Sequence, residues 1–188
     1  MLRIRMLAVA ALGSLLLMAS VAAAGTLAKG STELMGSAGF SSYSISGSSN
    51  SVTVVSTELG YGFCLTNNWE ILPAASIQSL SAGGHTASTL SGIVSAVYNF
   101  ATASGTAVPY LQAGVGLGSE SSGGSSISSS ILPLVGGGVR FLVGNSAAVN
   151  LGATYRRDTW TNHGESLTQS TTGVQAGLSI FPKGFGGK

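Results

Sequence analysis

The stretch TTGVQAGLSIFP, residues 171–182, shows the pattern that decides the fold. Apolar residues occupy every second position from Val174 to Ile180, with glutamine, glycine and serine between them. Because successive side chains of a β-strand point to opposite faces, this stretch predicts a strand with one apolar face and one polar or small face. Soluble and membrane sheets share this alternation, so the fold depends on what each face meets.

The composition is poor in charge. Only 7% of the 188 residues are charged and 44% are hydrophobic, whereas about 25% of a typical soluble domain is charged. Disordered chains are polar and highly charged, so this composition argues against disorder. Beyond the N-terminal region, no stretch approaches the ~20 consecutive apolar residues of a transmembrane helix. The chain is therefore apolar without having the pattern of a helical membrane protein.

Residues 1–24 have the pattern of a secretory signal peptide. Arg3 and Arg5 form a positive n-region, an apolar stretch follows from Met6 to Met18, and three alanines precede Gly25. A retained membrane anchor is the alternative, although the apolar run is short and ends in small residues. Removing these two arginines from the eight basic residues leaves six, against six acidic ones. We expect an exported, nearly neutral protein that binds no nucleic acid.

Short polar turns divide the rest of the chain at a regular interval. TNN (66–68), TASGT (102–106) and GNSA (144–147) are spaced by about 40 residues, and longer linkers rich in serine and glycine lie between them. This pattern predicts four successive hairpins, with the long linkers on the outside. The linkers are residues 46–50, 81–87, 120–130 and 161–170, and the expected strands lie near residues 31–45, 51–65, 69–81, 87–101, 107–119, 130–143, 147–160 and 171–181.

The composition of the polar face of these strands indicates whether the sheet belongs to a soluble protein or to a membrane protein. This face carries mainly Ser, Gly, Asn and Gln and few charges, which suits an enclosed lumen better than a soluble surface and leaves the apolar face for lipid. Sheets span bilayers only as closed barrels, because lipid cannot satisfy free strand edges. Eight strands match the smallest such barrels. We therefore predict an all-β fold, an eight-stranded antiparallel up-and-down transmembrane β-barrel; a soluble secreted β-sandwich is the alternative.

Aromatic residues cluster near the three tight turns and the end of the last strand. A girdle of aromatic side chains at one membrane interface is typical of outer-membrane barrels, whereas a soluble β-domain places its aromatics in the core. Tyr43 and Trp160 lie towards the opposite rim. The predicted periplasmic girdle consists of Phe63, Trp69, Phe100, Phe141 and Phe181.

The order and spacing of several glycine-rich segments resemble the small eight-stranded outer-membrane β-barrels of Gram-negative bacteria. The segments are VPYLQAGVGLG (108–118), GGGVRFLV (136–143), AAVNLGATYR (147–156) and GVQAGLSIFP (173–182). The resemblance implies a monomer in the outer membrane that contacts lipid and is assembled by the barrel-insertion machinery. Members of this family commonly end on an aromatic residue that this machinery reads; here Phe181 is followed by PKGFGGK. The expected organisation is a signal peptide (1–24), a barrel domain (25–182) and a glycine-rich tail (183–188).

Four charged residues fall on the polar face and are expected in the lumen: Glu58, Glu70, Arg140 and Arg156. Their distances from the tight turns suggest Glu58 paired with Arg156 and Glu70 with Arg140. Strand stagger leaves Glu33 with Arg140, and Glu70 with Arg156, as alternatives. An eight-stranded lumen is narrow enough for side chains to fill, and solvated charges in a wider pore are the other interpretation.

No motif indicates an enzyme, a cofactor or a metal site. GVGLGS (114–119) lacks the helix that must follow a nucleotide-binding loop. His163 has Glu165 and Ser166 nearby, as a lipid-modifying hydrolase would require, but a loop histidine is more often simply solvated. The lone Cys64 is expected to be a small packed residue. We predict a non-enzymatic protein with a structural or surface-interaction role and a filled lumen; a narrow diffusion pore and the hydrolase are alternatives.

Overall fold

The computed structural model describes residues 27–45, 51–82, 85–100, 107–122, 125–162 and 165–182. Eight antiparallel strands follow one another around a closed barrel, and the last pairs with the first. The predicted all-β, eight-stranded up-and-down barrel is therefore confirmed. The strands are β1 Thr32–Ile45, β2 Ser51–Cys64, β3 Trp69–Ala82, β4 His85–Asn99, β5 Ala107–Ser122, β6 Ser125–Val143, β7 Ala147–Asn162 and β8 Glu165–Ile180.

Several predictions concern residues outside the described ranges. The signal peptide (1–24), the C-terminal tail (183–188), the linker 46–50 and the turn 102–106 are among them. These assignments stay predictions. The described ranges contain no helix long and apolar enough to cross a membrane.

The strands extend further than predicted at the end of the barrel that carries the long linkers, which we call the loop end. Most of the predicted loops 120–130 and 161–170 is paired strand, and Ser119 still lies opposite Ser128. Richness in serine indicates a solvated segment, but the ladder hydrogen bonds come from the backbone and do not need apolar side chains. The hairpins therefore continue beyond the apolar part of each strand.

The alternation seen in the sequence becomes the outside and the inside of the barrel. Large apolar side chains are exposed around its circumference, including Leu59 at 72%, Leu117 at 71% and Leu178 at 64%. Exposed apolar surface of this extent marks a face that meets an apolar partner. The alternative of a soluble β-sandwich is wrong, because the eight strands form one closed sheet and its apolar side points outward.

Candidate functional site

An apolar stopper closes the barrel at the end that carries the tight turns, which we call the turn end. The stopper consists of Leu27, Cys64, Ala148 and Phe181, none of which is more than 4% exposed. The segment before β1 is held against the end of β2, since the Gly30 N–H donates to the Cys64 carbonyl at 2.8 Å. Both ends of the described chain therefore meet at this opening.

The prediction that Phe181 belongs to the outward girdle is wrong. Its side chain is fully buried in the stopper, whereas Ile180 beside it is 54% exposed. The reason is the alternation itself: the outward positions of β8 run from Val174 to Ile180 in steps of two, so the next residue faces inward. Trp160, expected near the opposite rim, also faces inward and is 8% exposed.

The other four girdle residues point outward. Phe63, Trp69, Phe100 and Phe141 are 38–49% exposed. Tyr98 joins them, with its ring centroid 5.0 Å from that of Trp69 and 4.9 Å from that of Phe100, both in edge-to-face geometry. The structure thus shows an outward aromatic cluster at the turn end, and its position at a membrane interface stays a prediction.

Arg140 lies in the lumen near the stopper and binds two carboxylates. Its Nη1 is 2.9 Å from Glu70 Oε2 and 2.9 Å from Glu33 Oε2, and all three side chains are at most 2% exposed. The guanidinium carbon also lies 5.3 Å from the centre of the Tyr110 ring. The two pairings that the sequence offers as alternatives for Arg140 therefore occur together, on a single guanidinium group.

Neutral side chains extend these ion pairs into a network. Asn99 Nδ2 donates to Glu70 Oε2 at 3.3 Å, and Asn150 Nδ2 donates to Ser179 Oγ at 2.5 Å. The Ser179 hydroxyl in turn donates to Glu33 Oε1, across the seam where β8 meets β1. We call Arg140, Glu33, Glu70, Asn99, Asn150 and Ser179 the Arg140 network. Its members come from β1, β3, β4, β6, β7 and β8, so it joins six of the eight strands.

An apolar layer lies on the loop-end side of the Arg140 network. It consists of Met35, Leu72, Val97 and Tyr110. Tyr110 lies on the inner wall over a Gly–Gly pair of the neighbouring strands β6 and β7. A Cβ at Gly138 or Gly152 would lie 2.9 or 2.5 Å from the tyrosine hydroxyl oxygen. The gap remaining beside this layer is about 10 Å³, at the lower limit for one water molecule.

A second charged pair lies further towards the loop end. Arg156 Nε and Nη2 donate to Asp158 Oδ2 and Oδ1, each at 2.9 Å. The expected ion pair of Glu58 with Arg156 is absent among the described residues, as is the alternative of Glu70 with Arg156. Asp158 is two residues from Arg156 on the same strand face, so it reaches the guanidinium without crossing the lumen. Asp158 is not among the lumen charges predicted from the sequence, although its position two residues after Arg156 places it on the same face of the strand.

Glu58 lies in a small polar chamber. This cavity of about 40 Å³ is lined by Glu58, Arg156, three glutamines and several serine and threonine hydroxyls. Ile93 and Leu134, which pack with Ile131 in a third apolar cluster, also line it. All four predicted lumen charges are therefore inside the barrel, and Glu58 is the one that forms no ion pair in the described part of the chain.

The catalytic alternative rests on a histidine in the hairpin between β7 and β8. His163 lies outside the described residues. Within the described ranges, no three His, Cys, Asp or Glu side chains are grouped so that they could hold a metal ion. The expectation that the protein is not an enzyme stays a prediction.

Comparison with known proteins gives the class of fold. The chain is similar to Neisserial surface protein A, with a TM-score of 0.64, 23% identity, and coverage of 79% of this chain and 96% of that one. It is similar to the outer membrane protein OprG from Pseudomonas aeruginosa (TM-score 0.51, 10% identity, 82% and 97% coverage). It is also similar to Ail, the attachment invasion locus protein of Yersinia pestis (0.50, 16%, 81% and 99%).

The fold is thus that of small eight-stranded outer-membrane β-barrels, as the sequence predicts. No family model and no curated protein matches the chain.

Proposed function

We propose that the protein is an outer-membrane barrel with a structural or surface-interaction role and a lumen closed to solutes. The observation that carries this proposal is the obstruction of the lumen at successive heights. The apolar stopper, the Arg140 network and the apolar layer around Tyr110 follow one another from the turn end. Two cavities beside them that described residues line, of about 10 and 40 Å³, have room for water molecules but not for a metabolite.

The outer surface of the barrel supports a role as a membrane-embedded scaffold that displays its hairpins. The outward apolar side chains suit acyl chains, and the hydroxyl-rich ends of β5 and β6 continue as paired strand beyond them. Two of the similar proteins are named as a surface protein and as an attachment invasion protein, which favours a surface role. Contact with outer-membrane lipid, assembly by the barrel-insertion machinery and a monomeric state are part of the proposal.

A conductance measurement distinguishes the closed barrel from the diffusion pore. Refolded protein in a planar lipid bilayer should give no discrete current steps, because the Arg140 network and Tyr110 block the lumen. The triple variant Tyr110→Ala/Arg140→Ala/Phe181→Ala, which also truncates the largest side chain of the stopper and is checked for folding by its heat-dependent gel mobility, should conduct. Its current shows that the assay can detect an opened lumen. Regular current steps from the unmodified protein would overturn the closed-barrel proposal and favour the pore.

A tag experiment tests the display of the hairpins. An epitope inserted in SSGGSS (121–126) should be cleaved by protease added to intact cells, whereas the same epitope in TASGT (102–106) should be protected. Cleavage at both positions, or at neither, would contradict the proposed orientation.

A further inference from the structure

We propose that the chamber beside Glu58 binds a partly hydrated monovalent cation of about the size of sodium. The chamber is about 40 Å³ in volume. Among the described residues that line it, Glu58 is the one carboxylate, and it forms no ion pair with them. The proposal does not depend on the surface role of the barrel.

The charges in the lumen do not balance among the described residues. Inside the barrel, Glu33, Glu58, Glu70 and Asp158 face two guanidinium groups, those of Arg140 and Arg156. Arg140 is shared by two carboxylates, and Asp158 occupies two nitrogens of Arg156. Enclosed carboxylates are normally paired or bound to a cation. Glu58 therefore has the charge that a cation would neutralise.

Orphan hydroxyl groups supply an independent sign of a ligand. Ser41, Ser76 and Thr171 line the same chamber and are 8%, 4% and 5% exposed. In the part of the chain that the structure describes, the hydroxyl oxygen of each has no hydrogen-bond partner. Buried polar atoms without a partner in the protein are suited to bind an ion or a water molecule. These three hydroxyls come from β1, β3 and β8, so three strands of the same part of the barrel wall contribute them to the chamber.

The ligand chemistry favours a hard monovalent cation. The side chains around the chamber offer one carboxylate, neutral hydroxyls and the amide oxygens of Gln78, Gln112 and Gln175. Oxygen-only ligands suit hard cations, while Ca²⁺ takes 6–8 oxygens, often from several carboxylates. The volume fits one ion with about two water molecules. Arg156 is nearby, but Asp158 compensates its charge through two hydrogen bonds.

Thermal unfolding in two salts tests the site on the unmodified protein. Full-length protein refolded in a neutral detergent is heated in NaCl or in N-methyl-D-glucamine chloride at equal ionic strength, and the melting temperature is followed. Sodium should raise the melting temperature by roughly 2–4 °C and the effect should saturate. The organic cation is too large for the chamber, so equal melting temperatures in the two salts would overturn the proposal.

Two matched variants locate the effect. Glu58→Gln removes the charge and keeps the shape, and it should abolish the difference between the salts. Glu120→Gln removes a carboxylate that does not line the chamber, and it should leave the difference unchanged. A sodium effect that survives in Glu58→Gln would overturn the site. If Glu58→Gln does not fold, Ser76→Ala decides, because loss of one oxygen ligand should raise the sodium concentration needed for half of the effect.

Discussion

Arg140→Met should destabilise the barrel more than any other single substitution of a lumen charge. The methionine fills most of the volume of the arginine stem but leaves Glu33 and Glu70 without a cation. Both carboxylates are fully buried, so water cannot compensate them. We expect a loss of about 3–5 kcal/mol in the free energy of unfolding, the range measured when one partner of a buried ion pair is removed.

The magnitude follows from two ion pairs that share one guanidinium. At an effective dielectric constant of about 20, opposite charges ~4 Å apart attract by about 4 kcal/mol. Arg140 has two such pairs, each with an N–O distance of 2.9 Å, while the two carboxylates repel each other. Much of the attraction offsets the cost of removing three charges from water, so the loss on substitution is smaller than the sum of the two pairs.

The rescue pattern is the sharper part of this prediction. The double variant Arg140→Met/Glu70→Gln should recover only part of the loss, because Glu33 stays buried and charged. Adding Glu33→Gln should recover most of the remainder. Urea titration in lipid vesicles, followed by tryptophan fluorescence, measures all three variants.

Arg157→Met is the matched control. Arg157 is the same residue type on the exposed side of β7, and its removal should change the free energy of unfolding by less than about 1 kcal/mol. Complete recovery in the double variant would show that Glu33 does not interact with Arg140. Additive effects of all substitutions would refute the network itself.

Two further predictions concern the outside of the barrel and the stopper. Leu151→Arg on the outward face of β7 should cost about 2–4 kcal/mol in a lipid bilayer, while Thr161→Arg, on the same face beyond the apolar belt, should cost at most about 1 kcal/mol; equal costs in vesicle unfolding would contradict the lipid-facing assignment. Phe181→Ala should cost about 3–5 kcal/mol, as for a buried phenylalanine, and Phe63→Ala clearly less, because Phe63 is 44% exposed. Similar losses in the same urea titration would place Phe181 in the outward girdle after all.

The fold could be predicted because its signal is local and repeated. Alternation with a period of two assigns each strand residue to one face, and short polar turns divide the chain into hairpins. The same alternation, extended one residue past Ile180, predicts that Phe181 faces inward. The girdle prediction instead relied on the position of Phe181 at the end of the strand. The lengths of the hairpins beyond the apolar belt were harder to predict, because a serine-rich sequence is compatible both with a loop and with a paired strand.

The sequence by itself thus determined the number of strands, their faces and the presence of Glu58, Glu70, Arg140 and Arg156 in the lumen. Only the tertiary structure decided which of these charges meet. Glu33 and Arg140 are 107 residues apart in the chain. Their side chains meet because β8 pairs with β1 and closes the barrel, which places both side chains inside the lumen at the same height. Arg156 instead binds Asp158 two residues away. Alternation assigns a side chain to a face. The partner of a lumen charge depends on the stagger of the strands and on how far side chains reach across the closed barrel, and the sequence of a single strand carries no information on either.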